Sequence, residues 1–246
     1  MKFLLFILFF LTSLSAENVK ILASKYFLDA GNSYTLEKAY QEKDNFSDLA
    51  YSSDTFGLRD DTLWIYIKLQ NISQKHSSNM IEFLFPLHDY LEVVEYSDSK
   101  IIDQYLTGDL TKHSTRKVDA SNFVVPYTLK PNETKEFIFK INSKSTLNAG
   151  MKFLSEAEYY ASSSDTKLIL GGYYGAVLIM LLYNIILYMM IKEKVYIYYV
   201  LFHFFYLLAQ LSLNGFAFTY FWPDSPQINS YFFPVLMILT NLFSII

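Results

Sequence analysis

The sequence predicts a β-sandwich or jelly-roll-like exported domain followed by transmembrane α-helices. Three observations predict this fold class: an apolar N-terminal run, alternating apolar and polar residues in the middle, and long uncharged stretches towards the C-terminus. Charge divides the 246-residue chain in the same way, because 38 of the 150 residues from 18 to 167 are charged, against four of the last 79. A water-soluble domain cannot cover its surface with so few charges, so the last third is expected to lie in lipid.

The N-terminus has the features of a secretory signal peptide, predicted over residues 1–16. Lys2 supplies a positive charge, residues 3–11 form an unbroken apolar run, and small side chains follow up to Ala16. The alternative is an uncleaved membrane anchor, but residues 3–16 fall short of the roughly 20 residues that a spanning helix needs. We therefore expect the next segment to lie outside the cytoplasm.

Residues 17–160 are predicted to form the β domain. In the run 63–70, apolar residues at the odd positions alternate with Trp64, Tyr66, Lys68 and Gln70, which is the period of a half-buried strand. Further strands are predicted, with turn-forming residues between them, at 80–85, 91–96, 101–106, 121–127, 137–141 and 150–154. We also expect a short helix within 34–50 and a linker at 161–167.

Three transmembrane helices are predicted at about 168–191, 195–217 and 228–246, and all three runs are uncharged. Lys192 and Lys194 lie in the first connection, which the positive-inside rule assigns to the cytoplasm. This topology leaves the β domain on the outer side, in agreement with the signal peptide. Gly171 and Gly175 form a GxxxG pair, which predicts close packing of helices.

The sequence contains no catalytic or phosphate-binding motif, so we predict that the chain is not an enzyme and binds no cofactor or metal. It also has no cysteine and a net charge of −4 without a concentrated basic face, which argues against disulfides and nucleic-acid binding. Arg59, Arg116 and Trp64 are candidate ligand-binding residues, because a guanidinium pairs with polar groups and an indole can stack on a sugar. The alternatives are that Trp64 fills the core and Arg116 holds a loop.

Several short motifs in the last third occur in a recognisable order. They are Gly172-Tyr173-Tyr174-Gly175, Lys192-Glu193-Lys194-Val195-Tyr196, Gln210-Leu211-Ser212-Leu213-Asn214-Gly215 and Trp222-Pro223-Asp224-Ser225-Pro226. Together they resemble the membrane region of bacterial seven-transmembrane receptors with diverse intracellular signalling modules. The resemblance implies a location in the bacterial inner membrane, with the N-terminal domain in the periplasm.

Upstream, Leu63-Trp64-Ile65-Tyr66-Ile67 is similar to the tryptophan strand of that family's type 2 extracellular domain. The resemblance implies a jelly-roll-like sensor for carbohydrate-like ligands, with Arg116 as a recurrent arginine. Tyr66 stands where family members often carry a basic residue, and it is the fourth ligand-binding candidate. Because the family has seven membrane helices and a cytoplasmic output domain, we expect this chain to be a truncated input half.

Three functions remain open at this point. The first is a receptor input module that binds a small ligand and changes the packing of helices in the lipid bilayer, as a homodimer or with a separate signalling partner. The second is a membrane-anchored domain that docks a periplasmic protein. The third is a non-functional fragment of a longer receptor.

Overall fold

The computed structural model describes residues 18–50 and 55–245, so the predicted signal peptide lies outside the described residues. The elements are β1 (Val19–Asp29), α1 (Leu36–Gln41), β2 (Ser47–Asp48), β3 (Thr55–Leu58), β4 (Thr62–Asn71), β5 (Ser77–Phe83), β6 (Tyr90–Ser97), β7 (Lys100–Thr107), β8 (Val124–Leu129), β9 (Thr134–Asn142), β10 (Thr146–Asn148), β11 (Met151–Ser155), α2 (Glu156–Ile191), α3 (Lys194–Leu213), α4 (Phe216–Phe221) and α5 (Asn229–Ile245).

Two antiparallel sheets enclose the main core of the N-terminal domain. The larger sheet has the strand order β2-β1-β4-β9-β6-β7, the smaller one has the order β11-β5-β8, and β3 pairs with β10 beside them. The odd positions of β4 (Leu63, Ile65, Ile67 and Leu69) are fully buried between the sheets together with Phe137 and Phe139 of β9. The predicted fold class, a β-sandwich followed by helices that could span a membrane, is confirmed.

The outer face of the larger sheet carries a second apolar cluster under α1. Thr35 begins this helix, because its side-chain oxygen accepts a hydrogen bond from the Lys38 amide. Ala39 of α1 packs in one cluster with Trp64 and Tyr66 of β4. The central strand β4 is therefore buried on both faces over most of its length, although its alternation predicted a half-buried strand. The reason is that the predicted short helix lies across the sheet.

The passage from the β domain to the membrane segment is one continuous helix. A capping box begins α2: the Ser155 side chain accepts from the Glu158 amide, and the Glu158 carboxylate accepts from the Ser155 amide. With 36 residues, α2 is about 54 Å long, which exceeds the ~30 Å hydrocarbon core. Residues 161–167, predicted as a linker, lie inside this helix, so any displacement of the β domain acts on a rigid rod.

Among the described residues, two helices, α2 and α3, are long and apolar enough to cross a membrane. The predicted second span ends early, at Leu213, because Gly215 turns the chain with a φ of +73° before α4. The predicted third span begins as a short 3₁₀ turn at Pro226 and continues as α5. Leu168, Ile169 and Met190 of α2 are more than two-thirds exposed, and such an apolar surface suits contact with lipid.

Candidate functional site

Two loops bring the β domain into contact with the membrane segment. The first is residues 108–123, between β7 and β8, which we call the docking loop. The second is residues 214–229, which connect α3 to α5 and include the first residue of α5, and which we call the outer loop. The outer loop contains α4. The two loops are about a hundred residues apart in the sequence, so the contact is purely tertiary.

Hydrogen bonds join the loops at two points. The Asn229 Nδ2 donates to the main-chain oxygen of Asp109 at 2.8 Å and to its Oδ1 at 2.9 Å. The Trp222 indole donates to the Asn229 Oδ1 at 2.6 Å, which orients that amide. The His113 amide donates to the Pro223 oxygen at 2.9 Å. The contact therefore has the defined geometry of hydrogen bonds and is not formed by apolar packing alone.

Arg116 lies at the centre of the contact. Its Nη1 donates to the main-chain oxygens of Ala120 and Ser121, both at 2.7 Å, and so ties the docking loop together. The guanidinium lies over Phe123 of the same loop at 4.5 Å and over Phe218 of α4 at 5.4 Å. These distances allow cation–π attraction on both sides. Burial lowers the pKa of Arg116 to about 10, so the group stays charged at neutral pH.

Gly215 lets the two loops approach closely. A Cβ at this position would lie 2.6 Å from the Ser121 oxygen and 3.1 Å from the Pro86 Cβ. The φ of +73° also favours glycine, since other residues rarely adopt it. The Ser121 oxygen is the same atom that accepts from Arg116, so Gly215 and Arg116 both lie against one point of the docking loop.

Asp109 is the buried acid of the contact. Burial raises its pKa to about 7, the nearby Arg116 opposes that shift, and Asp89 adds to it. The unfolded chain releases the same proton near pH 4. Between these values the unfolded state binds fewer protons than the folded state, so the free energy of unfolding falls as the pH rises and levels off above pH 7.

We expect the wild-type chain to lose about 2–3 kcal/mol of unfolding free energy between pH 5 and pH 8 relative to Asp109→Asn. Denaturant titration in detergent, followed by tryptophan fluorescence, measures this difference. Burial lowers the pKa of His113, which acts in the opposite sense below about pH 6.5, but both chains contain it and its effect cancels. Parallel pH profiles of the two chains would contradict the assignment to Asp109.

Two family models match the chain in sequence order. The model described as 7TMR-DISM extracellular 2 matches residues 23–155 and so covers more than half of the chain, and the model described as 7TM diverse intracellular signalling matches residues 166–246. The chain belongs to the 7TMR-DISM receptor family. The resemblance of the tryptophan strand and of the membrane motifs is thereby confirmed. As a member of this family, the chain is a membrane receptor input module with an extracellular N-terminal domain.

Other comparisons add little to the 7TMR-DISM assignment. No curated protein matches the chain. Among solved structures, a β-glucosidase from Kluyveromyces marxianus in complex with glucose matches with 9% identity and a TM-score of 0.27. That match covers 54% of this chain and 16% of the β-glucosidase chain.

In this 7TMR-DISM chain, the four candidate ligand residues do not share a surface. Trp64 and Tyr66 lie under α1 with at most 2% exposure, Arg59 forms a surface ion pair with Asp61, and Arg116 lies in the docking contact. The role predicted for Arg116 as a residue that holds a loop matches its hydrogen bonds. Ligand binding by any of the four stays a prediction.

The GxxxG pair also stays a prediction. A Cβ built on Gly171 or Gly175 would meet no atom within 4 Å, so in the described part of the chain no other helix packs against the side-chain position of either glycine. Sequence reasoning missed Asp109 and Asn229, because isolated polar residues in two distant loops carry no local signal of their pairing. Gly215 was visible only as part of a family motif.

Proposed function

We propose that this chain senses a small polar ligand in the periplasm and converts binding into a change in the packing of its membrane helices. The observation that carries the proposal is the contact between the docking loop and the outer loop. The proposal includes the bacterial inner membrane as location and a carbohydrate-like molecule as ligand. Arg116 then acts as a positioning residue between the two parts, not as a ligand-contacting group.

Two separate connections support coupling over simple anchoring. The rigid helix α2 continues directly from β11, and the docking loop holds the connection between α3 and α5 through Asn229 and Phe218. An anchored docking domain would need only the first connection. Because the β domain contacts two different parts of the helical segment, a shift of the domain changes how α2 packs against α3. A ligand produces such a shift if it binds one packing state better than the other.

The experiment distinguishes two effects of replacing a glycine: loss of the close contact between the loops, and strain in the backbone. In Gly215→Ala, the new methyl group must displace the Ser121 main chain, so we expect the docking loop to move away from the outer loop. Gly57→Ala is the matched control, because Gly57 has a similar φ of +76° but a Cβ there meets nothing within 4 Å. Both variants carry the same strain of about 1 kcal/mol, and only one breaks the contact.

Paired spin labels measure the result in lipid nanodiscs. The chain has no native cysteine, so cysteines can be placed freely. A Lys152–Tyr220 label pair reports docking, and a Leu168–Tyr220 pair reports the packing of α2 against the outer loop. We expect Gly215→Ala to broaden both distance distributions and Gly57→Ala to leave both unchanged. If Gly215→Ala changes the first pair but not the second, the contact does not influence helix packing and the proposed coupling is wrong.

A further inference from the structure

One end of the sandwich core is polar on its inner faces. Leu91 and Val93 of β6 face the apolar core, but the next inward position of this strand is Glu95. On β9 the inward row of Ile141, Phe139 and Phe137 ends in the same way at Lys135. Apolar alternation therefore gives way to charge on neighbouring strands at the same end.

These residues line a cavity of about 340 Å³ between the two sheets, which we call the polar cleft. The larger sheet contributes Glu95, Asp103 and Lys135, and the smaller sheet contributes Asn79 and Tyr127. Lys135 donates to the Glu95 carboxylate at 2.7 Å, and both residues are 8% exposed. The volume is that of a small-molecule site at the lower end of the usual range.

Two residues that line the cleft each carry a buried polar atom without a protein partner. Neither the Tyr127 hydroxyl nor the Asn79 Oδ1 has a hydrogen bond to any described residue, although Tyr127 is 4% and Asn79 is 1% exposed. The Asn79 Nδ2 is already used, because it donates to the Ser77 hydroxyl at 2.7 Å. Buried polar groups are normally satisfied, so these two atoms indicate a place for ligand hydrogen bonds. Because the unpartnered Asn79 Oδ1 is an acceptor, the ligand group that bonds to it must be a hydrogen-bond donor.

The charge of the cleft indicates the sign of the ligand. The Glu95 carboxylate is paired with Lys135, and the Asp103 carboxylate is paired with Lys117. The third carboxylate, Glu156, has no ion pair among the described residues. One negative charge is therefore in excess, which favours a cationic ligand and disfavours carboxylates and phosphates.

We propose that the polar cleft binds a small hydroxyl-rich molecule with a cationic amino group, the chemistry of an amino sugar. The amino group faces Glu156, a hydroxyl donates to the Asn79 Oδ1, and the Tyr127 hydroxyl bonds to a second hydroxyl. This inference rests on the proposed sensory function and names its ligand site.

The position of the polar cleft connects it to both routes into the membrane segment. Glu156 is the first residue of α2, so a ligand there touches the helix that enters the membrane. Asp103 at the edge of the cleft binds Lys117, which is the neighbour of Arg116 in the docking loop. A ligand that pulls on either carboxylate therefore acts directly on α2 or on the docking contact.

The test compares three sugars that differ in one functional group, measured on the chain in lipid nanodiscs by calorimetry and ligand-detected NMR. The probes are glucosamine, glucose and glucuronate. We expect glucosamine to bind at least tenfold more tightly than glucose, glucuronate not to bind, and the preference for glucosamine to weaken as salt is added.

Two variants locate the binding. Tyr127→Phe and Glu156→Gln are each expected to reduce glucosamine affinity about tenfold. Tyr127→Phe should not lower the melting temperature, because the lost hydroxyl bonds to no described residue. The controls are Tyr40→Phe and Glu37→Gln, which lie at α1, on the opposite face of the larger sheet, and should leave affinity unchanged.

Failure of this site and failure of the sensory function give different results. Equal binding of glucose and glucosamine, no binding of glucosamine, or equal affinity in Glu156→Gln and the wild type each overturns the site. If glucosamine binds as expected but does not alter the Leu168–Tyr220 label distance, the site stands and the sensory function is wrong. If Gly215→Ala alters that distance while no probe binds, the function stands and the site is wrong.

Discussion

Lys135→Met is expected to destabilise the β domain by about 3 kcal/mol, because it leaves the Glu95 carboxylate buried without its partner. This value is at the lower end for a broken buried ion pair, since both residues line the polar cleft and water can partly screen the charge. Denaturant unfolding in detergent, followed by tryptophan fluorescence, measures the change in free energy.

The double variant Glu95→Leu/Lys135→Met is the matched control for the ion pair. With both charges removed, no buried charge remains unpaired, so most of the lost stability should return. If the double variant is as unstable as Lys135→Met alone, the loss comes from the packing of the lysine stem and not from the ion pair. Because the pair separates the apolar core from the polar cleft, the single variant should also lower glucosamine affinity.

Trp64→Ala is expected to cost about 3–5 kcal/mol of unfolding free energy, because it empties the largest fully buried side chain of the domain. The indole lies between β4 and α1, in the same cluster as Ala39, Phe46 and Tyr66. The cavity left by the missing indole would weaken the packing of α1 on the larger sheet. The same denaturant titration measures the effect, with Trp222 as the remaining fluorophore.

Trp64→Phe is the control that separates packing from ligand recognition. The indole Nε1 has no hydrogen-bond partner among the described residues, so phenylalanine loses part of the volume and no hydrogen bond. We expect it to cost less than half as much as alanine and to leave ligand affinity unchanged. If instead either substitution lowers ligand affinity while stability is kept, Trp64 contacts the ligand, as its predicted role requires.

Local patterns were sufficient for much of the fold. Period-two alternation placed β4 and β9, turn-forming residues separated the strands, and the loss of charge after residue 167 located the helices. Four strands were missed, namely β1, β2, β3 and β10. The longest of them, β1, reads Val-Lys-Ile-Leu-Ala-Ser-Lys-Tyr-Phe-Leu-Asp, and only part of it alternates. It becomes a strand because it pairs with β4 along nearly its whole length, which no local window can show.

The sites were less predictable than the fold. The two arginines and Trp64 were chosen by side-chain chemistry, but their environments depend on which segment covers them. Segment 34–46 covers Trp64, and the outer loop covers Arg116. In contrast, Asn79, Tyr127 and Glu156 had no distinguishing sequence context. They line one cleft only because the two sheets face each other and α2 begins beside them.

By itself, the sequence determined that this chain has a β-rich exported part, an apolar helical part and the motifs of a 7TMR-DISM receptor. These properties follow from residue type and short periods, which depend on neighbours in the chain. The tertiary structure decided that α2 runs unbroken from the last strand, that Asp109 meets Asn229, and that polar residues gather at one end of the core. Those features arise from contacts between residues far apart in the chain, whose free energy exists only once the sheets and helices have packed.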